Sequence, residues 1–341
     1  MRADLRRQYE EICQAIDYSQ GSRLHKEWVK KDIRKNIRRN GVLDVTQLGS
    51  DFRWALCSAR LRSGRFDNWD GWEFRSNWAV TFQGFNCTDE QKIKIPKWFG
   101  QKTDHLVILG EQGIGDEIAF ASALPELIVR VGAKNLEFQT YPRLKSIIER
   151  SFGIPCTERR VLSEVKQGKY CVALGDLMRF YRKDKSHFPR KPFLKPNVEL
   201  VESWRQKLRA NPKVVKGKPL VGLAWKARHG VLDPELLMDE DANYINVQYG
   251  ATHPALIETG QDPTTDLEGH MALIACLDKV VSVTQTAVHV AGSIGIPCSA
   301  IVPPKGTGET DYHLWYYGTG GPMILYGSVN VYPSIELYRN R

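Results

Sequence analysis

Apolar and polar residues follow two different rhythms along this chain, and the change between them divides it. In LHKEWVKKDIRKNIRRN, the apolar residues Leu24, Trp28, Ile33 and Ile37 recur at steps of four and five. That spacing places them on one face of a helix with Lys and Arg around the rest. Gly41 supplies a stop signal. A second helical pair is predicted from about Asp51 to Ser63, turning at Gly64, and from Phe66 to Trp78. The first segment, residues 1–85, therefore reads as a small helical domain.

From about residue 104 the rhythm becomes an alternation of strand and helix. HLVILG is a short apolar strand, GEQGIGDE a glycine-rich turn and IAFASALPELIVRVG a helix. NLEFQT, RLKSIIERSFG and KYCVALG continue as strand, helix and strand, and the proline-rich KSHFPRKPFLKP reads as a linker. A second alternation follows the helix around Trp204: PLVGLAW, YINVQYG, the helix GHMALIACL, DKVVSV, the helix AVHVAGSIG and PCSAIVP. Strands separated by helices predict parallel sheets with right-handed crossovers. The expected architecture is α/β, with one lobe over 86–200 and another over 201–341. A ligand is expected in the cleft outside the carboxyl ends of their strands.

Composition narrows the setting. Of 341 residues, 42% are hydrophobic and 26% charged, which excludes collagen-like, low-complexity and disordered classes. The net charge of +9 favours anionic partners: phosphate-bearing ligands, nucleic acid or an anionic membrane surface. Residues 1–65 hold 15 Lys or Arg against 8 Asp or Glu, so most of that excess lies in the helical segment. No apolar run nears the roughly 20 residues of a membrane span, and MRADLRRQYEEIC lacks the apolar core of a signal peptide. The seven cysteines are scattered and form no CxxC pair, which points away from disulfides and zinc and toward a reducing cytosol. A cytoplasmic protein is expected, with a peripheral place at the inner face of a membrane as the alternative.

Two turns hold the candidate chemistry. GEQGIGDE, with Gly113 and Gly115, follows the first strand but is neither GxGxxG nor a P-loop, so dinucleotide and ATP fingerprints are absent. Asp116 and Glu117 stand at the start of the next helix. The plainer reading is a carboxylate stabilising the helix dipole; the functional one is Asp116 as a general base at the floor of the cleft. In VSVTQTAVHVAG, Thr284, Gln285 and Thr286 fall at a helix start, where free N–H groups and hydroxyls suit a phosphate, and His289 lies one turn further in. The alternative is a capped helix with a core histidine. Lys226 and Arg228 in WKARHG could neutralise a diphosphate or simply be solvated, and Asp266 could cap a helix or bind a ligand hydroxyl. Asp239-Glu-Asp241 matches a metal-binding DxD pattern literally, but its polar run reads more simply as a solvated loop. His229 and His270 lack ligand-spaced partners, so no metal site is assigned.

GEQGIGDEIAFASALPELI resembles the EQG-x-GD-x-I-x-F-x-x-x-LP-x-L signature of tetratricopeptide-linked glycosyltransferase-like proteins. These are relatives of the ADP-heptose:lipopolysaccharide heptosyltransferases of glycosyltransferase family nine. ALCSARLRSGRFDNWDGWEFRSNW is similar to their terminal helical repeat, and KIPKWFGQ to the segment joining repeat to enzyme. VGLAWKARHG, INVQYG, DLEGHMALIACLDKVVSV, HVAGSIGIP and WYYG…YPSIELY follow in family order. The resemblance implies a GT-B fold of two Rossmann-like lobes. It implies inverting, metal-independent transfer from a nucleotide-diphospho-sugar, with no cofactor beyond that donor. Asp116 would be the general base. Thr284, Gln285, Thr286 and His289 would hold the diphosphate, Lys226 or Arg228 would neutralise the leaving group, and Gln248 and Asp266 would complete the donor set. Thr284-Gln285 departs from the Asp-Thr of many relatives.

A glycosyltransferase acting on a glycan, protein or other hydroxyl acceptor is the leading expectation. The alternatives are a nucleic-acid-modifying glycosyltransferase, an epimerase or donor hydrolase of the same fold, and a non-catalytic helical-repeat binding protein. The basic first segment would face phosphorylated glycan, an anionic membrane or nucleic acid, or else pack on the enzyme as a solvated amphipathic helix.

Overall fold

A computed structural model describes residues 97–158, 170–227, 230–238, 241–302, 314–317 and 321–333, together with scattered positions between 6 and 72. In the front lobe, β1 (Leu106–Leu109), β2 (Leu136–Thr140), β3 (Cys156–Glu158) and β4 (Tyr170–Ala173) form a parallel sheet in the order β3-β2-β1-β4. All four residues of β1 are buried, as expected of a central strand covered on both faces. The covering helices are α1 (Ile114–Phe120), α2 (Leu124–Val131), α3 (Pro142–Phe152) and α4 (Asp176–Tyr181). The single helix expected over IAFASALPELIVRVG is two. It begins earlier, at Ile114, and a 3-10 turn at Ala121–Ala123 separates α1 from α2. Pro125 explains the break, because it lacks an N–H and its ring excludes the carbonyl four residues back.

In the rear lobe, the strands are β5 (Leu220–Ala224), β8 (Asn243–Asn246), β9 (Lys279–Val283), β10 (Cys298–Val302), β11 (Gly321–Pro322) and β12 (Val329–Pro333). They stand in the order β11-β12-β10-β9-β5-β8, and all pair in parallel except β11. A small ribbon of β6 (Lys226–Ala227) and β7 (Gly230–Val231) leaves the end of β5. The helices are α5 (Val198–Ala210), α6 (Leu267–Ile274), α7 (Thr286–Ile294) and the short α8 (Leu314–Tyr317). The proline-rich linker is held in place: the N–H groups of Phe193 and Leu194 both donate to Ser293 O at the end of α7, at 2.9 and 3.1 Å.

The lobes are tied across their edge by charged groups. Arg150 of α3 makes a two-pronged bond to Glu268 of α6, both arms 2.8 Å, and Ser146 adds a hydroxyl at 2.6 Å. Such fork-to-fork pairing fixes orientation as well as contributing energy.

Of the described part of the first segment, Cys57, Leu61, Phe66, Trp69 and Trp72 join the core of the front lobe. Ile12, Ile33, Leu56, Cys57 and Leu61 are helical and buried, so Ile33 faces inward as its spacing predicts. Leu24, Trp28, Ile37, Gly41 and residues 73–96 lie outside the described residues. Gly64 makes the expected turn, but the second helix does not start at Phe66: residues 65–69 are non-helical, and Trp72 is the helical one. Two indoles account for this. Trp69 Nε1–H donates to Phe66 O and to Arg182 O, and Trp72 Nε1–H donates to Gly175 O, each at 2.9 Å. Gly175 and Arg182 flank α4, so the two rings clasp its ends. Satisfying buried indole donors outweighs one more helical turn.

Among the described residues, no helix is long and apolar enough to cross a membrane. Trp72 is fully buried, so Trp72→Ala should cost about 3–5 kcal/mol, read as a lowered denaturation midpoint. A midpoint equal to wild type would mean that the segment does not share the core of the front lobe.

Candidate active site

The glycine-rich turn is held rigid by two buried carboxylates. Glu117 accepts the Glu111 N–H at 2.7 Å and the Tyr141 N–H at 3.3 Å, and bonds the Thr140 hydroxyl at the end of β2. Glu111 in turn accepts the Gly175 N–H at 2.7 Å. Both are fully buried. Glu117 stands in the first turn of its helix, as the plainer sequence reading has it, and also closes the turn against β2. A buried carboxylate with several N–H and O–H donors is well satisfied, and the turn it closes is pre-set. The N-cap of α1 is Gly113, with no side-chain capping bond. One residue before Glu117, Asp116 is left partly exposed and accepts the Tyr316 hydroxyl at 3.0 Å on Oδ1.

Opposite this turn, β9 is followed by Thr284 and Gln285, and α7 begins at Thr286 with no side-chain cap. Its first N–H groups therefore point outward at the positive end of the helix dipole. Gln285 Nε2 donates to Gln248 Oε1 at 3.2 Å. That same oxygen accepts the Lys226 N–H at 2.8 Å, and Gln248 Nε2 donates to Tyr249 O at 2.9 Å. The buried Gln248 therefore locks three strand ends together and orients Gln285.

α1 and α7 meet across the lobes. A Cβ on Gly115 would stand 2.9 Å from His289 Cδ2, so only glycine permits this approach. Behind His289, a Cβ on Gly292 would stand 2.4 Å from the Tyr326 ring. Tyr326 can therefore lie against α7, with its hydroxyl 3.0 Å from His289 Nδ1.

Between the lobes is a cavity of about 380 Å³. Of the residues singled out from sequence, Gly113, Gly115, Asp116, Thr284, Gln285, Thr286 and His289 line it. Gln248 and Asp266 are not part of the lining; Asp266 accepts the Gly269 N–H at 2.8 Å and caps α6. Lys226 is exposed beside Ala227, which lines the cavity. Arg228, His229 and Asp239 lie outside the described residues, and Asp241 pairs with Lys218. Among the described residues, no three His, Cys, Asp or Glu side chains converge as a metal site.

Sequence reasoning missed Arg143, Tyr249, Thr264, His270 and Tyr316, all of which line the cavity. Arg143 follows β2 directly, so its place beside a strand's carboxyl end was a usable signal. Its Nη1 donates to Pro263 O at 2.7 Å across the lobes. Tyr316 lies in an aromatic run with no periodicity to mark it. His270 is buried with Nδ1 3.0 Å from Gln261 Oε1, and burial pushes its pKa down to about 4, slightly opposed by the charge of Asp262. The wall at His270 is therefore neutral at physiological pH. The cavity sets a carboxylate and a guanidinium on the front-lobe side against N–H groups and hydroxyls on the other. This arrangement can take a proton from a hydroxyl while receiving an anionic leaving group.

No family model matches the chain. It is 26% identical over 312 aligned positions to Protein FlbA of Caulobacter vibrioides, covering 77% of this chain and 50% of the relative. The chain thus spans about half the length of the curated relative it matches. Among solved structures, it is similar to the E. coli ADP-heptose LPS heptosyltransferase II at 13% identity and a TM-score of 0.46, covering 67% of this chain and 90% of that one. A glycosyl transferase family 9 structure from Veillonella parvula is similar at 11% identity and a TM-score of 0.46, covering 69% and 87%.

His270 gives the site a pH signature. Its folded pKa of about 4 lies below the ordinary value of 6.5, so the unfolded chain binds the proton first as pH falls. Stability should therefore decline between pH 6.5 and 4, by about 3 kcal/mol from this residue. Denaturant melts of wild type and His270→Gln across that range should converge by this amount; a constant difference would contradict a buried neutral imidazole.

Proposed function

We propose that this chain is a glycosyltransferase that moves a sugar from a nucleotide-diphospho-sugar to a hydroxyl of a glycan or protein acceptor. The observation that carries the proposal is that Asp116 of the front lobe and the Thr284–Thr286 tip of α7 line one cavity. The order of the sequence motifs supports the same reading. A volume of about 380 Å³ suits a nucleotide-sized ligand.

In this reading, the α7 tip binds the donor diphosphate with its N–H groups and the Thr284 and Thr286 hydroxyls, while Gln248 holds Gln285 in place. The same groups stabilise the charge that develops as the nucleoside diphosphate leaves, without reorganising during the reaction. Asp116 removes the acceptor proton as its oxygen attacks the anomeric carbon from the face opposite the leaving group. That displacement inverts the configuration and needs no metal. His289 stands behind the tip on Tyr326, and Arg143 brings a positive charge from the acceptor side.

Asp116→Ala should lower transfer by about 10²–10⁴-fold and leave donor affinity nearly unchanged. The measurement pairs a thermal-shift screen of nucleotide sugars, which identifies the donor, with mass spectrometry of the product. Full transfer by the variant would remove Asp116 from its role; protection by no nucleotide sugar would remove the transferase reading itself.

A further inference from the structure

We infer that Tyr316 is the positioning residue for the Asp116 carboxylate, held in register by an aromatic hub that the first segment of the chain helps to build. The inference rests on the function proposed above for the consequence it has on turnover, but the geometry stands apart from it.

Three observations carry it. The Tyr316 hydroxyl donates to Asp116 Oδ1 at 3.0 Å, and the residue is almost fully buried, so its ring has little freedom to leave. The ring also meets His289 edge-on at 5.8 Å, so one side chain touches both sides of the cavity. Its neighbour Trp315 lies at the centre of the hub. Trp69 and Trp72 stand edge-on to it at 5.7 and 5.8 Å, Phe66 at 6.3 Å, and Phe120 of α1 stacks on it at 6.4 Å. Edge-on and offset stacks are the favoured aromatic geometries, and a hub of them fixes its members closely. Trp69 and Trp72 are anchored in turn by their indole bonds to Arg182 O and Gly175 O. A rigid path therefore runs from residues 66–72, through Trp315, to the hydroxyl on Asp116.

An O–H donor to a carboxylate does two things. It holds the cavity-lining carboxylate in one rotamer, and it favours the charged form over the protonated one. Besides Tyr316, the other titratable groups lining the cavity with Asp116 are His289 from α7, Arg143 from α3, His270 from α6 and Tyr249 after β8. They remain in place when only the Tyr316 hydroxyl is removed, which isolates its contribution.

The test is Tyr316→Phe, which keeps the ring, studied in the full chain. Carbodiimide labelling of Asp116, followed across pH by peptide mass spectrometry, reads the carboxylate without any substrate. The labelling midpoint should rise by about 0.5–1 pH unit, and turnover should fall about tenfold with donor affinity within about twofold. A wild-type midpoint in Tyr316→Phe overturns the inference whatever happens to turnover. A raised midpoint in a protein whose Asp116→Ala variant still transfers sugar would retain the positioning and reject only the role proposed for Asp116. Trp69→Phe, which touches the hub but not the cavity, should raise the midpoint in the same direction. If it still melts cooperatively and leaves the midpoint unmoved, the contribution of the first segment is refuted.

Discussion

Two helices from different lobes touch at one place where only a hydrogen can stand. Gly115 on α1 faces the His289 ring on α7, and a methyl group there would lie 2.9 Å from Cδ2. Close packing makes such a contact a switch rather than a cushion, because an interior at crystal-like density cannot absorb an extra carbon without moving something. Everything at the site follows from this approach. It brings the carboxylate of Asp116 and the uncapped tip of α7 to one cavity, and it lets Tyr316 reach both.

The surrounding structure holds that approach from two directions. On the outer edge, Arg150, Ser146 and Glu268 join α3 to α6, and Arg143 reaches Pro263. On the inner side, Glu111 and Glu117 are buried acceptors that close the glycine-rich turn, and the tryptophans of residues 69–72 clasp α4 beside it. Among the described residues of the first segment, Cys57, Leu61, Phe66, Trp69 and Trp72 thereby share the core of the front lobe, and their aromatic rings reach Trp315.

Much of this was legible in the sequence, for definite reasons. Buried parallel strands such as LVIL and KVVSV declare themselves as short apolar runs between turn signals, and the helices between them fix the crossovers. The two chemically loaded turns were also legible, since both follow strands whose carboxyl ends form the cleft. What could not be read is whatever depends on partners distant in sequence. Phe66 and Trp69 look like helix starters until Arg182 O supplies the indole acceptor, 113 residues away. Glu117 is the first-turn carboxylate its position suggests, but its bonds to Glu111 N–H and the Thr140 hydroxyl could not be read from it. Asp266 was legible as a helix cap or a ligand contact, and it caps α6; Gln248, placed in the donor set by resemblance, is bonded to strand ends. β3 was missed because three residues carry too little pattern, and Tyr316 because aromatic runs look alike wherever they pack.

The most direct measurement compares nucleoside diphosphate binding in wild type, Gly115→Ala and Gly113→Ala by calorimetric titration with ADP and UDP. A Cβ on Gly113 would meet only Asp116 Oδ2 at 3.5 Å, an ordinary contact, so that variant controls for the glycine itself. If the two helix tips form one site, wild type binds one of these nucleotides, Gly115→Ala weakens it by about tenfold or more, and Gly113→Ala stays within about twofold. Equal affinity in all three proteins, or none in wild type, would contradict a site that depends on the meeting of α1 and α7.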